Sequence, residues 1–156
     1  MIGAIGNLIS IADVTDEYFK SAKPGTGQII YETGYDKKLH LEEVRIAAWL
    51  HEVFGGNMKM LHEDNITFTA DYEWRGKLWE LKTTTMDSTD ARARKGMKQI
   101  ADNPGGLIMD YENRTMNVKT LEDTICRRLE RIRVIRALDV IVRARGSVIK
   151  IIRYKK

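Results

Sequence analysis

The chain has 156 residues, 43 % hydrophobic and 31 % charged, a balance that supports one domain with a real core and excludes intrinsic disorder. Its one cysteine, Cys126, excludes an intrachain disulfide and a cysteine-based zinc cluster, and no apolar run reaches the roughly 20 residues that cross a bilayer. The net charge of +4 is unevenly laid out, with nine Lys/Arg against fifteen Asp/Glu in residues 1–91 and 17 against seven in residues 92–156. Such asymmetry fits a polyanionic partner gripped by the basic half, and equally a domain whose halves neutralise each other.

In chain order, Ile2, Ile5, Leu8, Ile9 and Ala12 recur at helical spacing, and residues 16–19 predict a second short helix. The opening has no basic segment, and Asp13, Asp16 and Glu17 follow closely, so no secretory peptide is expected. Pro24, Gly25 and Gly27 mark residues 21–27 as a linker. Residues 1–24 thus read as a helical lead-in and 25–156 as the functional domain. A short strand is expected at 28–31.

Residues 39–54 predict a helix stopped by Gly55 and Gly56. At about 100° per residue, Leu39, Ile46, Ala47, Leu50, Val53 and Phe54 form one stripe. Glu43 falls inside that stripe, where an unpaired charge is costly, so it needs a partner. Strands are expected at 58–62, 68–74 and 77–83, then a helix from Ser88 to about Ala101 broken by Asn103-Pro104-Gly105-Gly106. A strand at 107–111, a basic helix at 119–133 and a hairpin of 138–143 with 148–153 complete the chain. The order α-β-β-β-α-β-α-β-β predicts an α/β fold with a mixed sheet flanked by helices.

The segment most informative about chemistry is Asp71 to Lys82. It reads as a hairpin turning at Arg75-Gly76, pairing Trp74 with Lys77, Glu73 with Leu78, Tyr72 with Trp79, and Asp71 with Glu80. Alternation puts Tyr72, Trp74, Trp79 and Leu81 on one face and Asp71, Glu73, Glu80 and Lys82 on the other. Asp71 and Glu80 then face each other with Cβ atoms about 4.5–5.5 Å apart, a repulsive pair unless a divalent cation lies between them. Lys82 projects toward the same space. The same pattern also fits the solvated face of an amphipathic hairpin. In its favour as a site, Glu43 precedes it on a core-facing helix, and the next helix carries Arg92, Arg94, Lys95, Lys98 and Gln99, suited to phosphate contacts.

A Glu-bearing helix, an Asp on one strand, Glu-x-Lys on the next and a following helix resemble the PD-(D/E)xK nuclease superfamily. More narrowly, HLEEVRIAAWLHEVFGG, ADYEWRGKLWELKTTT and ARKGMKQIADNPGGLIMDY, with the Arg-rich helix and final strands, look like the CdiA-type C-terminal toxin domains of contact-dependent growth inhibition. The resemblance covers residues 25–156 and implies a restriction-endonuclease-like core. It makes Asp71 and Glu80 metal ligands, Glu43 a third carboxylate holding metal or water, Lys82 the catalytic lysine and Gln99 a further site residue. The residue before Asp71 is Ala70, where the superfamily motif has proline.

The resemblance further implies a Mg2+- or Zn2+-dependent endoribonuclease that cleaves tRNA and is neutralised by a cognate immunity protein. Such a toxin tip acts in the bacterial cytoplasm after export on a larger effector. A monomer without a membrane span is expected. The alternatives are a DNA endonuclease on the same scaffold and a non-catalytic nucleic-acid-binding module of a mobile element. Arg127, Arg128 and Arg131 belong to a run that fits either an RNA backbone contact or a solvated face. His40, His51 and His62 read as surface or capping residues, Trp49, Trp74 and Trp79 as core, and Cys126 as a small apolar core residue.

Overall fold

Sheet formation in this chain follows from turn chemistry at two tight hairpins and from three helical crossovers. The computed structural model describes residues 9–14, 21–63 and 69–156. Its strands are β1 (Ser10–Asp13), β2 (Ile29–Tyr31), β3 (Met58–Met60), β4 (Tyr72–Trp74), β5 (Lys77–Thr83), β6 (Pro104–Asp110), β7 (Ala137–Ala144) and β8 (Ser147–Lys155). Three helices are described: α1 (Leu41–Val53), α2 (Thr89–Ile100) and α3 (Val118–Glu130). The strands form one mixed sheet in the order β1-β8-β7-β6-β5-β4-β3-β2.

Both hairpins turn on a non-glycine residue followed by glycine, each at positive φ: Arg75 (54°) with Gly76 (78°), and Arg145 (53°) with Gly146 (74°). This is the type I′ geometry that matches strand twist, and it fixes the register. Trp74 pairs with Lys77, Glu73 with Leu78 and Tyr72 with Trp79, as the sequence predicts. β5, β6 and β7 run parallel, joined through α2 and α3.

The helices cover both faces of the sheet. Ile46, Ala47, Leu50 and Phe54 of the α1 region pack with Met58, Met60, Tyr72, Trp74, Trp79, Leu81 and Ile108. On the other face, Ala93, Met97 and Ile100 of α2 and Leu121, Ile125 and Leu129 of α3 pack with Leu107, Met109, Val140 and Val142. Alternation along β5 therefore sends Trp79 and Leu81 toward α1, and Glu80 and Lys82 toward α2.

Three expectations change, and one falls outside the described residues. Residues 10–13 are not helical: they pair antiparallel with β8, Ser10 opposite Lys155 and Asp13 opposite Ile152, because the edge of that strand is open for pairing. The expected helix at 16–19 and the first residues of the chain lie outside the described residues. Leu39 leaves the apolar stripe: α1 starts at Leu41, and Leu39 is 76 % exposed. Finally, Pro104-Gly105-Gly106 opens β6 and does not merely break the preceding helix. A Cβ on Gly106 would lie 2.1 Å from the Asp139 carbonyl oxygen, so only glycine lets β6 lie against β7 there.

The helix starts carry different caps. Asn117 accepts from Thr120 N at 3.0 Å, a side-chain cap for α3. Ser88 holds the expected cap position of α2 without a side-chain cap bond.

Candidate active site

β4 and β5 bring Asp71 and Glu80 together one rung beyond the paired residues of the hairpin. The Asp71 amide donates to Glu80 Oε1 at 2.8 Å, and Asp71 Oδ2 accepts from the Leu81 amide at 2.8 Å. Each carboxylate is thus held by the backbone of the opposing strand. Glu80 is buried, 2 % exposed. Its second oxygen faces Lys82 Nζ at 3.0 Å, in an ion pair that is itself largely shielded from solvent.

Glu43 joins the group from α1. Its Oε2 accepts from the Tyr35 hydroxyl at 2.9 Å and lies 3.5 Å from His40 Nδ1, while its backbone carbonyl accepts from the Tyr72 hydroxyl at 2.7 Å. The helix is therefore pinned to β4 at the turn that carries Glu43, and the partner required by a carboxylate on an apolar stripe is Tyr35 together with His40.

Burial first, then the charges of Glu80 and Glu43, and finally hydrogen bonding with both, push the Asp71 carboxyl well above the ordinary carboxylate range. Glu80 is also raised, by burial, against the opposing pull of Asp71 and Lys82. The hydrogen bond between the two carboxyls raises Asp71 and lowers Glu80, so Asp71 is the member of the pair that keeps a proton to higher pH. Burial and Glu43 hold the Tyr35 hydroxyl protonated, so it acts as a donor.

Helix α2 approaches this group through Gly96. A Cβ there would lie 2.7 Å from Leu107 Cδ2, 3.6 Å from Glu80 Cγ and 3.7 Å from Lys82 Cε. The missing side chain lets the basic face of α2 close over β5. Beside it lies a cavity of about 360 Å³ lined by Lys82, Arg94, Lys95, Lys98 and Gln99. Gln99 Oε1 is buried there and makes no hydrogen bond, an unsatisfied acceptor next to four cations.

Arg92 does not line that cavity. Arg127, Arg128 and Arg131 line a separate groove of about 250 Å³ with Asp87 and Asp90. Within it Arg128 is engaged by Asp90 through two bonds of 3.0 and 2.7 Å. Asp90, Arg94 and Lys98 follow one another at i, i+4 spacing, so the groove and the cavity succeed each other along one stripe of α2.

Several secondary expectations are met. Trp74 and Trp79 are buried in the core with ring centroids 5.0 Å apart. His51 Nε2 lies 3.0 Å from the Gly27 carbonyl and fixes the linker. Cys126 packs against the α3-side core, and burial pushes its thiol up to about 11. His40 differs: the structure places it beside Glu43. The sequence pattern does not mark Tyr35 or Tyr72 as site residues. Tyr72 is an ordinary core residue by pattern, and Tyr35 lies between Gly34 and Asp36 in a loop without periodicity.

Among the described residues, no group of three or more His, Cys, Asp or Glu is arranged as a ready-made metal cage. The donor chemistry still fits a hard divalent cation: Asp71 and Glu80 offer oxygens and no sulfur, and Mg2+ is ordinarily held by one or two carboxylates with several waters retained. Comparison with protein families, curated proteins and solved structures finds no match to this chain.

Proposed function

We propose that the chain is a metal-dependent nuclease of the PD-(D/E)xK kind, an endoribonuclease cleaving tRNA in the manner of the CdiA-type toxin tips it resembles. The observation that carries this reading is the convergence of Asp71, Glu80, Lys82 and Glu43 between α1 and α2. The run α1-β3-β4-β5-α2-β6, with three antiparallel strands followed by a helical crossover to a parallel strand, supports it as the order expected of such a core. No helix of the described residues is long and apolar enough to cross a membrane.

Asp71 and Glu80 would hold the cation, with Glu43 nearby. When bound, a divalent cation supplies the positive charge that polarises a phosphoryl oxygen and acidifies water. The remaining chemistry belongs to the chain's own groups. Lys82 stabilises negative charge developing on the phosphoryl oxygens. Glu43, fixed by Tyr35, accepts a proton from the attacking water. Arg94, Lys95 and Lys98 seat the backbone phosphates beside the scissile bond, and the buried Gln99 amide orients toward the same cavity. Ionisation of Asp71 is required before the cation is held, which makes activity rise with pH.

The test is incubation of the purified protein with tRNA and, separately, with supercoiled plasmid, in magnesium and in zinc. Expected is cleavage of tRNA, abolished by Asp71→Asn, Glu80→Gln and Lys82→Ala. Cleavage of plasmid alone would reassign the substrate to DNA. No cleavage of either polymer, or full activity in Glu80→Gln, would overturn the nuclease reading.

A further inference from the structure

At the end of β2 and in the loop to α1 the chain gathers three half-buried rings: Tyr31, and the Tyr35 and His40 that contact Glu43. Tyr31 and Tyr35 have ring centroids 5.4 Å apart, Tyr35 and His40 have theirs 5.1 Å apart, and the Lys37 ammonium lies 4.1 Å from the centre of the Tyr31 ring. Both tyrosines are half-buried against the α1-side core, and the exposed Lys37 covers Tyr31. Next to Tyr31 is a cavity of about 440 Å³ completed by Ile30, Glu32, Thr33, Lys59 and His62. Its volume lies within the range of small-ligand pockets, about 300–1,000 Å³. Ile30 is 51 % exposed at its rim.

Two links connect this surface to the carboxylates. The Tyr35 hydroxyl is bonded to Glu43 at 2.9 Å. Tyr31 pairs with Met60, and Met60 pairs with Tyr72, the neighbour of Asp71. Two strand spacings, about 10 Å, therefore separate the backbone of Tyr31 from that of the strand carrying Asp71. A polynucleotide lying across Asp71 and Glu80 toward the open edge at β2 brings a neighbouring nucleoside to this distance.

The chemistry selects the ligand. Phosphate is poorly served here, because Glu32 and Asp36 lie among the lysines. A nucleobase offers these rings an uncharged π-face, taking the place of the exposed Lys37 ammonium that lies over Tyr31, and the Glu32 oxygen not bonded to the His62 amide accepts from the amino group of a base. Bases in a continuous duplex present their faces to one another and offer none to a protein. We infer that Tyr31, Tyr35 and His40, with Lys37, form a subsite for one unpaired nucleobase beside the scissile bond, so that the chain takes single-stranded or looped nucleic acid and discriminates against continuous duplex. This rests on the nuclease reading above and adds the form of its substrate.

The experiment reads binding in metal-free buffer, so it is independent of cleavage. A short labelled single-stranded RNA and the same strand annealed to its complement are titrated against wild type, Tyr31→Ala and Tyr31→Trp, with fluorescence anisotropy as readout. Tyr31→Ala is expected to lose single-strand affinity on the order of 5- to 150-fold, the scale of one stacked base, while duplex affinity changes less than about twofold and Tyr31→Trp restores the single-strand value. Should Tyr31→Ala not fold, the indole of Tyr31→Trp gives the second measurement, quenched by the single strand and not by the duplex. Equal losses on both probes, unchanged single-strand binding in a folded Tyr31→Ala, or no quenching in Tyr31→Trp each overturn the subsite. A wild type that cuts neither tRNA nor plasmid while these binding results hold would instead remove the nuclease reading and leave the subsite standing.

Discussion

Asp71 and Glu80 are cross-braced: the amide of Asp71 donates to the Glu80 carboxylate, and the carboxylate of Asp71 accepts the amide of Leu81, both at 2.8 Å. The two acidic groups are therefore held side by side by backbone that cannot move without dismantling the hairpin. Their mutual repulsion is built into the fold, which is affordable only if something outside the chain relieves it or if one group keeps its proton.

That arrangement fixes how stability depends on pH. Asp71 is raised above its ordinary range by burial and by the charges of Glu80 and Glu43, and Glu80 is raised by burial. The folded state therefore binds more protons than the unfolded chain between the usual carboxylate range and these raised titrations, and stability falls as pH rises through that window. Asp71→Asn removes the charge and keeps the shape. It is expected to stabilise the protein by about 1–2 kcal/mol at neutral to alkaline pH, with little effect at acid pH. Urea denaturation across pH checks this; a variant less stable than wild type at alkaline pH would contradict it.

Divalent cation acts on the same cluster. An ion that binds the folded state alone raises stability by about 2.7 kcal/mol at a hundredfold excess over its Kd. Magnesium or manganese is expected to raise Tm of the wild type, more at alkaline than at acid pH, because a protonated Asp71 competes with the ion. The shift should vanish in Asp71→Asn and Glu80→Gln. A Tm insensitive to both ions at alkaline pH would mean that the carboxylates are not metal ligands. The readout needs no substrate.

Much of this geometry is legible before any coordinates. The register of β4 and β5 follows from Arg75-Gly76, because a two-residue turn leaves one in-phase pairing, and that pairing sets Glu80 beyond Trp79 and next to Asp71. Glu43 is legible because a carboxylate on an apolar stripe demands an explanation. Other features are not written locally. Residues 10–13 carry Ile11 and Ala12 in a spacing that serves helix or strand, and only the open edge of β8 decides between them. Gly105 and Gly106 look like a breaker, yet they are read by the Trp79 ring and the Asp139 carbonyl, which arrive from distant sequence. Tyr35 and His40 sit in a loop whose pattern carries no period, so their convergence on Glu43 exists only in the folded chain.

Tyr35 leads to a prediction about catalysis. Its hydroxyl orients one oxygen of Glu43 and touches none of the proposed reacting atoms, so it is a positioning residue. Tyr35→Phe keeps the ring and removes one hydrogen bond of about 1 kcal/mol. Cleavage is expected to slow about three- to tenfold in kcat with KM nearly unchanged. Because Tyr35→Phe keeps the ring that the nucleobase subsite uses, a rise in KM at constant kcat would make the hydroxyl itself a substrate contact, and an unchanged rate would detach it from Glu43.

A second buried ion pair separates stability from the site. Asp110 at the end of β6 and Arg143 on β7 meet at 2.8 Å, both nearly fully buried, and the Arg143 guanidinium lies 4.7 Å from the centre of the Trp49 ring. Asp110 Oδ1 also accepts from the Glu112 amide at 3.0 Å, whereas Arg143 Nε makes no hydrogen bond. Removing one partner strands a desolvated charge, so Arg143→Leu is expected to cost about 3–5 kcal/mol. The double variant Asp110→Asn with Arg143→Leu should recover part of that loss, because the stranded carboxylate is gone while the loop bond to Glu112 is kept. Equilibrium urea unfolding of the two single variants and the double gives the coupling directly; losses that simply add would show that the pair acts as two independent polar groups and not as a mutually neutralising unit.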